Sequence, residues 1–281
     1  MKIARVFPRK TNASPDDNLA FFDVPGMLTP DIDEVHISVT FTYDIEKAEK
    51  LAQAWERVAP VKIGGPAYND FGNEFIPGKY VKQGYVITSR GCPNNCWFCS
   101  VHKREGGIRE LPIVEGWNLL DSNLLACSKS HIERVFEMLG MQKERAQFTG
   151  GLEAKILKDW HVELLWDLNP QQMFFAYDTP DDLDPLIEAG KKLRYANFTR
   201  SHLRCYVLVG FPYDTTGHAE KRLLQAWEAG FIPMAMLYRD KKGNTDSEWE
   251  KFQRIWDRPA ITKAKVKQLY KSEINKIMEG V

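Results

Sequence analysis

The chain has 281 residues, 43% hydrophobic and 27% charged, a composition that supplies a core and excludes a disordered or fibrous protein. Lys+Arg and Asp+Glu balance at 38 each, so no global basic field points to nucleic acid and no acidic excess points to a solvated tail. The opening MKIARVFPRK lacks an apolar signal region and no uncharged apolar run approaches membrane-spanning length, so a cytoplasmic protein with no membrane partner is expected.

Taken in chain order, residues 33–66 read as strand, helix, strand and glycine turn. Val35, Ile37 and Val39 alternate; Ala48, Leu51, Ala52 and Trp55 then recur at helical spacing before VKIGG. This is one βαβ-like unit, too short for a complete doubly wound domain. A polar connector runs from about Tyr68 to Lys82. From Gly84 onward strands and helices alternate. YVITSRGC is a strand running into a cysteine loop, WNLLDSNLLA a strand ending in polar residues, and SHIERVFEMLG a helix with an apolar face and a serine cap. AQFTGG precedes helical DWHVELLWDL, QMFFAYDT precedes DDLDPLIEAGKKL, RCYVLVGFPYDT precedes AEKRLLQAWEAG, and FIPMAMLYRD is the sixth strand. Short apolar strands alternating with helices predict a parallel α/β sheet, open or curled into a partial barrel, with functional groups at the carboxyl ends of the strands. The charged tail after Asp240 is expected to be helical.

Five cysteines, an odd number, make a poor disulfide framework, and three of them fall within eight residues in RGCPNNCWFCS. The spacing C-x3-C-x2-C of Cys92, Cys96 and Cys99 is not that of a zinc knuckle, which wants two CxxC pairs or a CxxC with a histidine pair. Three thiolates from one loop suit an iron–sulfur cubane with one iron left open, since such clusters normally take one thiolate per iron. Cys127 and Cys205 are the other thiols available as a fourth ligand, without local motif support. No two of the six histidines stand at metal spacing, and His102 alone lies near the cysteines.

RGCPNNCWFCS resembles the cysteine loop of the radical S-adenosylmethionine (SAM) superfamily, with Phe98 at the aromatic position before the last cysteine. The resemblance covers roughly residues 84–240, including the count of six strands. It implies a partial (β/α)6 barrel, a [4Fe-4S] cluster on Cys92, Cys96 and Cys99, and SAM bound at the open iron. Reduction then splits SAM into methionine and a 5′-deoxyadenosyl radical that abstracts hydrogen from a substrate. The layout is nearest to the subgroup with an N-terminal cobalamin-binding-like domain. The expected organisation is a small truncated Rossmann-like segment at 1–75, the barrel at 76–240 and a helical extension at 241–281.

Two motifs compete for the SAM amine. TGGLE resembles the Gly-Gly-Glu that the family often carries after its second strand, yet it follows the third strand here. Asp121 and Asn123, after the second, are therefore favoured for the amine, with Gly150, Gly151 and Glu153 lining the site. A helix-capping carboxylate is the alternative for Asp121, and an ordinary turn for the glycines. Tyr177 and Asp178 close the fourth strand where the family touches ribose or substrate; Val209 and Met236 stand where it packs adenine. A flavodoxin- or ferredoxin-type electron donor is implied, the substrate is unidentified, and nucleic acid is not indicated. Methyl or methylthio transfer and a non-catalytic iron–sulfur sensor are the alternative functions. Cobalamin is not expected: about 75 residues precede the barrel, with two or three strand signals and no Asp-x-His-x-x-Gly pattern.

Overall fold

The computed structural model describes residues 1–71, 74–240 and 242–279. The chain forms two compact units, each described by itself. The first holds Met1–Ser122 and Cys127–Glu144, the second Asn123–Ala126, Arg145–Asp240 and the residues from Asn244 on.

The first unit opens with β1 (Ile3–Val6), β2 (Ala20–Phe21), β3 (Glu34–Ser38), helix α1 (Ile45–Trp55) and β4 (Val61–Gly64). These strands form an all-parallel sheet in the order β2-β1-β3-β4. The βαβ reading of residues 33–66 matches β3, α1 and β4. Helix α1 lays Ala48, Leu51 and Trp55 on Ala4, Val6, Val35 and Ile37, a stripe at the i, i+3, i+7 spacing that a helix turns to one side. Strands β1 and β2 were not legible: four and two residues long, they show too little alternation to stand out.

The first unit continues with β5 (Tyr85–Val86), β6 (Ser89–Arg90), a short helix α2 (Val101–Arg104), β7 (Arg109–Glu110), β8 (Asn118–Leu119) and α3 (Lys129–Gly140). Strand β8 is the parallel neighbour of β5. What the sequence presents as one strand, YVITSRGC, is divided: Tyr85 and Val86 pair with β8, whereas Ser89 and Arg90 pair antiparallel with β7. The serine cap of α3 is Ser128, whose hydroxyl accepts from the His131 amide at 3.2 Å.

The second unit carries β9 (Gln147–Phe148), α4 (Asp159–Leu168), β10 (Gln172–Tyr177), α5 (Leu183–Tyr195), β11 (Leu203–Val209), α6 (Thr216–Glu228), β12 (Ile232–Leu237), α7 (Ser247–Trp256) and α8 (Pro259–Glu279). Strands β9 to β12 lie parallel in chain order, the βα alternation expected. Register separates their two faces. Phe175, Tyr177, Cys205, Val207, Val209, Ala235 and Leu237 share one buried face, and Tyr177 there donates to Gln225 of α6 at 2.9 Å, which marks it as the helix side. Ala176, Tyr206, Met234 and Met236 share the other, and Met236 is 43% exposed. Among the described residues no helix is long and apolar enough to cross a membrane.

Candidate metal and cofactor site

The three cysteines sit in the loop between β6 and β7. Antiparallel pairing of Ser89 with Glu110 and Arg90 with Arg109 closes that loop at its base. Just inside, Gly91 adopts φ +84°, and a Cβ there would lie 2.2 Å from the Gly107 carbonyl oxygen, so only glycine lets the two legs approach. The Cys92 amide donates to the Gly106 carbonyl at 3.1 Å and the Cys99 amide to the Cys96 carbonyl at 3.1 Å. The Val101 amide points at Cys99 Sγ, 3.5 Å away. On the outgoing leg Arg104 donates to the carbonyls of Pro66 (3.2 Å) and Thr40 (3.5 Å), which follow β4 and β3. Phe98 packs edge to face on Trp97, with ring centroids 5.4 Å apart.

The donor set fits an iron–sulfur cluster. All five cysteines lie outside disulfides. Cys92, Cys96 and Cys99 are partly exposed, whereas burial pushes the Cys127 thiol up to about 11 and the Cys205 thiol well above its ordinary range. The loop thiols are thus the accessible ones, and thiolates are the ligating form. Among the described residues no three His, Cys, Asp or Glu side chains converge on a single ion. A cubane binds each thiolate to a different iron and asks for no such convergence.

Asp121, just after β8, is 1% exposed. Its carboxylate accepts from the Thr88 amide (2.7 Å), the Thr88 hydroxyl (2.7 Å) and the Ser89 hydroxyl (2.6 Å), the two residues that lead into the cysteine loop. Burial raises its pKa, and these three bonds oppose the rise. A further bond, from the Ser89 amide, also opposes the rise, so the carboxylate is engaged by both residues that lead into the loop. His131, also buried, stands 3.4 Å from the Thr88 hydroxyl.

In the second unit the rival motifs meet. The Asn123 amide donates to Glu153 Oε2 at 2.5 Å, so the residues after the second and third strands share one spot. Gly150 and Gly151 form the turn that brings Glu153 there, Gly151 at φ +118°. Lys155 pairs with Asp182 at 2.7 Å, and Asp182 accepts from the amides of Asp178 (3.0 Å) and Thr179 (2.7 Å). Burial, reinforced by the Asp182 carboxylate, raises Asp178 from 3.8 to about 7. Of the residues expected near adenine and ribose, Met236 lies on the open face, while Tyr177 and Val209 turn to the helix side. Reading the sequence missed Glu105, Arg104, Thr88, Ser89 and Lys155, whose partners are distant in sequence or single charges without a pattern.

No family model matches the chain. Two curated relatives are ribosomal protein uS12 methylthiotransferases RimO. That of Actinobacillus succinogenes is 28% identical over 152 residues, covering 49% of this chain and 34% of the relative. That of Brucella canis is 25% identical over 251 residues, covering 80% and 53%. The chain therefore spans between a third and about half of the relatives it matches. The radical S-adenosylmethionine methyltransferase TsrM of Kitasatospora setae, solved with cobalamin and a [4Fe-4S] cluster, superposes with a TM-score of 0.59 at 10% identity, over 86% of this chain and 77% of that one. The same protein solved with tryptophan and a SAM analogue gives 0.58 over 84% and 72%.

The chain is similar in sequence to radical SAM methylthiotransferases and shares its fold with a radical SAM methyltransferase. The parallel α/β fold is that of these solved structures, with the cysteine loop following β5. The cysteine loop thereby lies past the carboxyl end of a parallel strand, where α/β folds gather their chemistry.

Proposed function

We propose that this chain is a radical SAM enzyme that holds a [4Fe-4S] cluster on Cys92, Cys96 and Cys99 and uses SAM to take hydrogen from a substrate. The carrying observation is the loop itself: three accessible thiols, stapled at the base, on a fold matched over 86% of the chain. When bound, the cluster supplies the electron that splits SAM into methionine and a 5′-deoxyadenosyl radical. The chain's own groups do the rest. The Val101 amide is aimed at Cys99 Sγ, Asp121 holds the strand entering the loop, and the Asn123–Glu153 pair offers acceptor oxygens to the cationic SAM amine. Gly150 and Gly151 line the turn, Phe98 shields the loop, and Asp178 and Met236 face the substrate side. Tyr177 and Val209 support that face from behind. A flavodoxin- or ferredoxin-type protein is the proposed electron donor.

Anaerobic, reduced protein given SAM alone tests the reading. Release of 5′-deoxyadenosine supports it; S-adenosylhomocysteine favours transfer chemistry instead, and neither product favours an iron–sulfur sensor. Methyl or methylthio transfer is the second reading, favoured by the names of the relatives and of the structural neighbour. We further propose that residues 1–75 are a reduced Rossmann-like segment, that 76–240 form the barrel core with 241–281 as an extension, and that the enzyme works without cobalamin. His36 supports the last point: its Nδ1 lies 2.6 Å from the Tyr80 hydroxyl and its Nε2 3.2 Å from Glu34, so both ring nitrogens face partners within the chain.

A further inference from the structure

We infer that Glu105 is a positioning residue for the Cys92 ligand, and that its carboxylate helps to set the reduction potential of the cluster. The inference rests on the proposal that Cys92, Cys96 and Cys99 hold a [4Fe-4S] cluster. Glu105 ends the short helix after the last cysteine, and its side chain is only 8% exposed. Its Oε2 accepts from the Gly91 amide at 3.0 Å, the residue immediately before Cys92. Its Oε1 lies 3.8 Å from an Arg90 guanidinium nitrogen, itself largely buried. The next residue, Gly106, accepts from the Cys92 amide at 3.1 Å.

Together these contacts link the incoming leg, at Arg90, Gly91 and Cys92, to the outgoing leg, at Glu105 and Gly106. Glu105 bonds the incoming backbone at Gly91 from the outgoing leg, beside the backbone ties of Cys92 to Gly106 and of β6 to β7. The arrangement has two consequences. A buried carboxylate is tolerated only when it is paired and hydrogen-bonded, so Glu105 locks Gly91 into the one conformation that satisfies it. Gly91 sits at φ +84° with the Gly107 carbonyl against it, so a backbone freed from Glu105 is a glycine with wide conformational choice directly before a ligand. The second consequence is electrostatic. Net charge and hydrogen bonding around the sulfurs set cluster potentials, and a nearby anion disfavours the reduced, more negative cluster.

The experiment compares Glu105→Ala and Glu105→Gln with the reconstituted parent protein. It reads iron per chain, the rate of iron loss to a chelator, the midpoint potential by spectroscopic titration, and the melting of the metal-free proteins. Glutamine keeps an oxygen for the Gly91 amide but not the charge. We expect Glu105→Gln to hold iron as the parent does, with a raised midpoint potential. We expect Glu105→Ala to lose iron on the order of tenfold faster, a change set by loss of one charged hydrogen bond. Equal loss rates in the alanine variant and an unchanged potential in the glutamine variant would overturn the inference. If metal-free Glu105→Ala fails to fold, the potential and iron retention of Glu105→Gln decide alone. A parent protein that binds no [4Fe-4S] cluster would instead refute the cluster assignment, a result distinct from failure of the role of Glu105.

Discussion

Replacement of Cys92, Cys96 or Cys99 by Ala is expected to remove the cluster and SAM cleavage, whereas Cys127→Ala and Cys205→Ala leave both in place. The difference follows from environment: Cys127 and Cys205 are buried, and burial holds their thiols protonated. Iron and sulfide analysis of each variant checks it, and full occupancy in Cys96→Ala defeats the assignment. Asp178 gives a second prediction at this scale. Burial and the neighbouring Asp182 raise its pKa from 3.8 to about 7, so between these values the folded chain keeps a proton that the unfolded chain has released. Stability contributed by this group is therefore fully present below the lower value and lost as pH rises through the upper one. Urea midpoints measured across that window should fall with rising pH at this residue's account, and Asp178→Asn should flatten that part of the profile. An unchanged profile in the variant counts against a perturbed Asp178.

Among elements, the β10–β11–β12 register makes the sharpest statement. Tyr177 belongs to the helix-side face through Gln225, and Val209 is fully buried on the same face. Tyr177→Phe should cost about 1 kcal/mol of folding stability, the usual net value of one such bond, without changing SAM affinity. Met236→Ala, on the open face, should do the reverse, weakening SAM or substrate binding with little effect on stability. Denaturant unfolding beside SAM titration separates the two; weaker SAM binding in Tyr177→Phe would mean that the face assignment is mistaken. The same strands show what the sequence could and could not tell. Helix α4 was legible to the residue because Asp159–Leu168 is apolar at helical spacing, and the order of strands was legible because each βα turn is short and polar. Which face Tyr177 took was not, because QMFFAY is apolar on both sides and carries no alternation to fix a parity. At the site, the cysteine spacing was legible because three cysteines share one loop. The meeting of Asn123 with Glu153 was not, because it joins residues 30 apart, and neither was the use of Asp121 to hold Thr88 and Ser89.

At the scale of the whole molecule the open question is cobalamin, and the N-terminal sheet makes it specific. The sequence suggested two or three strands there; the sheet has four, all parallel, in the order β2-β1-β3-β4. Its order reverses at β1, so a crevice of the kind that holds cofactors in doubly wound sheets falls at the carboxyl ends of β1 and β3. Four strands therefore suffice for such a crevice, and cobalamin turns on what occupies that edge. Arg9, after β1, makes a two-pronged pair with Asp44 at 3.0 and 2.9 Å and lies 5.4 Å from the Tyr43 ring. Phe41 stacks on Tyr43 with centroids 5.1 Å apart, and Arg104 of the cysteine loop lies on the carbonyls of Thr40 and Pro66. These partners engage the side chains at that edge and support the proposal that no corrinoid ring rests there. Purification with hydroxocobalamin should therefore leave no stoichiometric corrinoid absorbance on the protein, and Arg9→Ala should not create any. If corrinoid co-elutes at one per chain and activity depends on it, the edge opens to admit the ring, and methyl transfer replaces hydrogen abstraction as the leading reading.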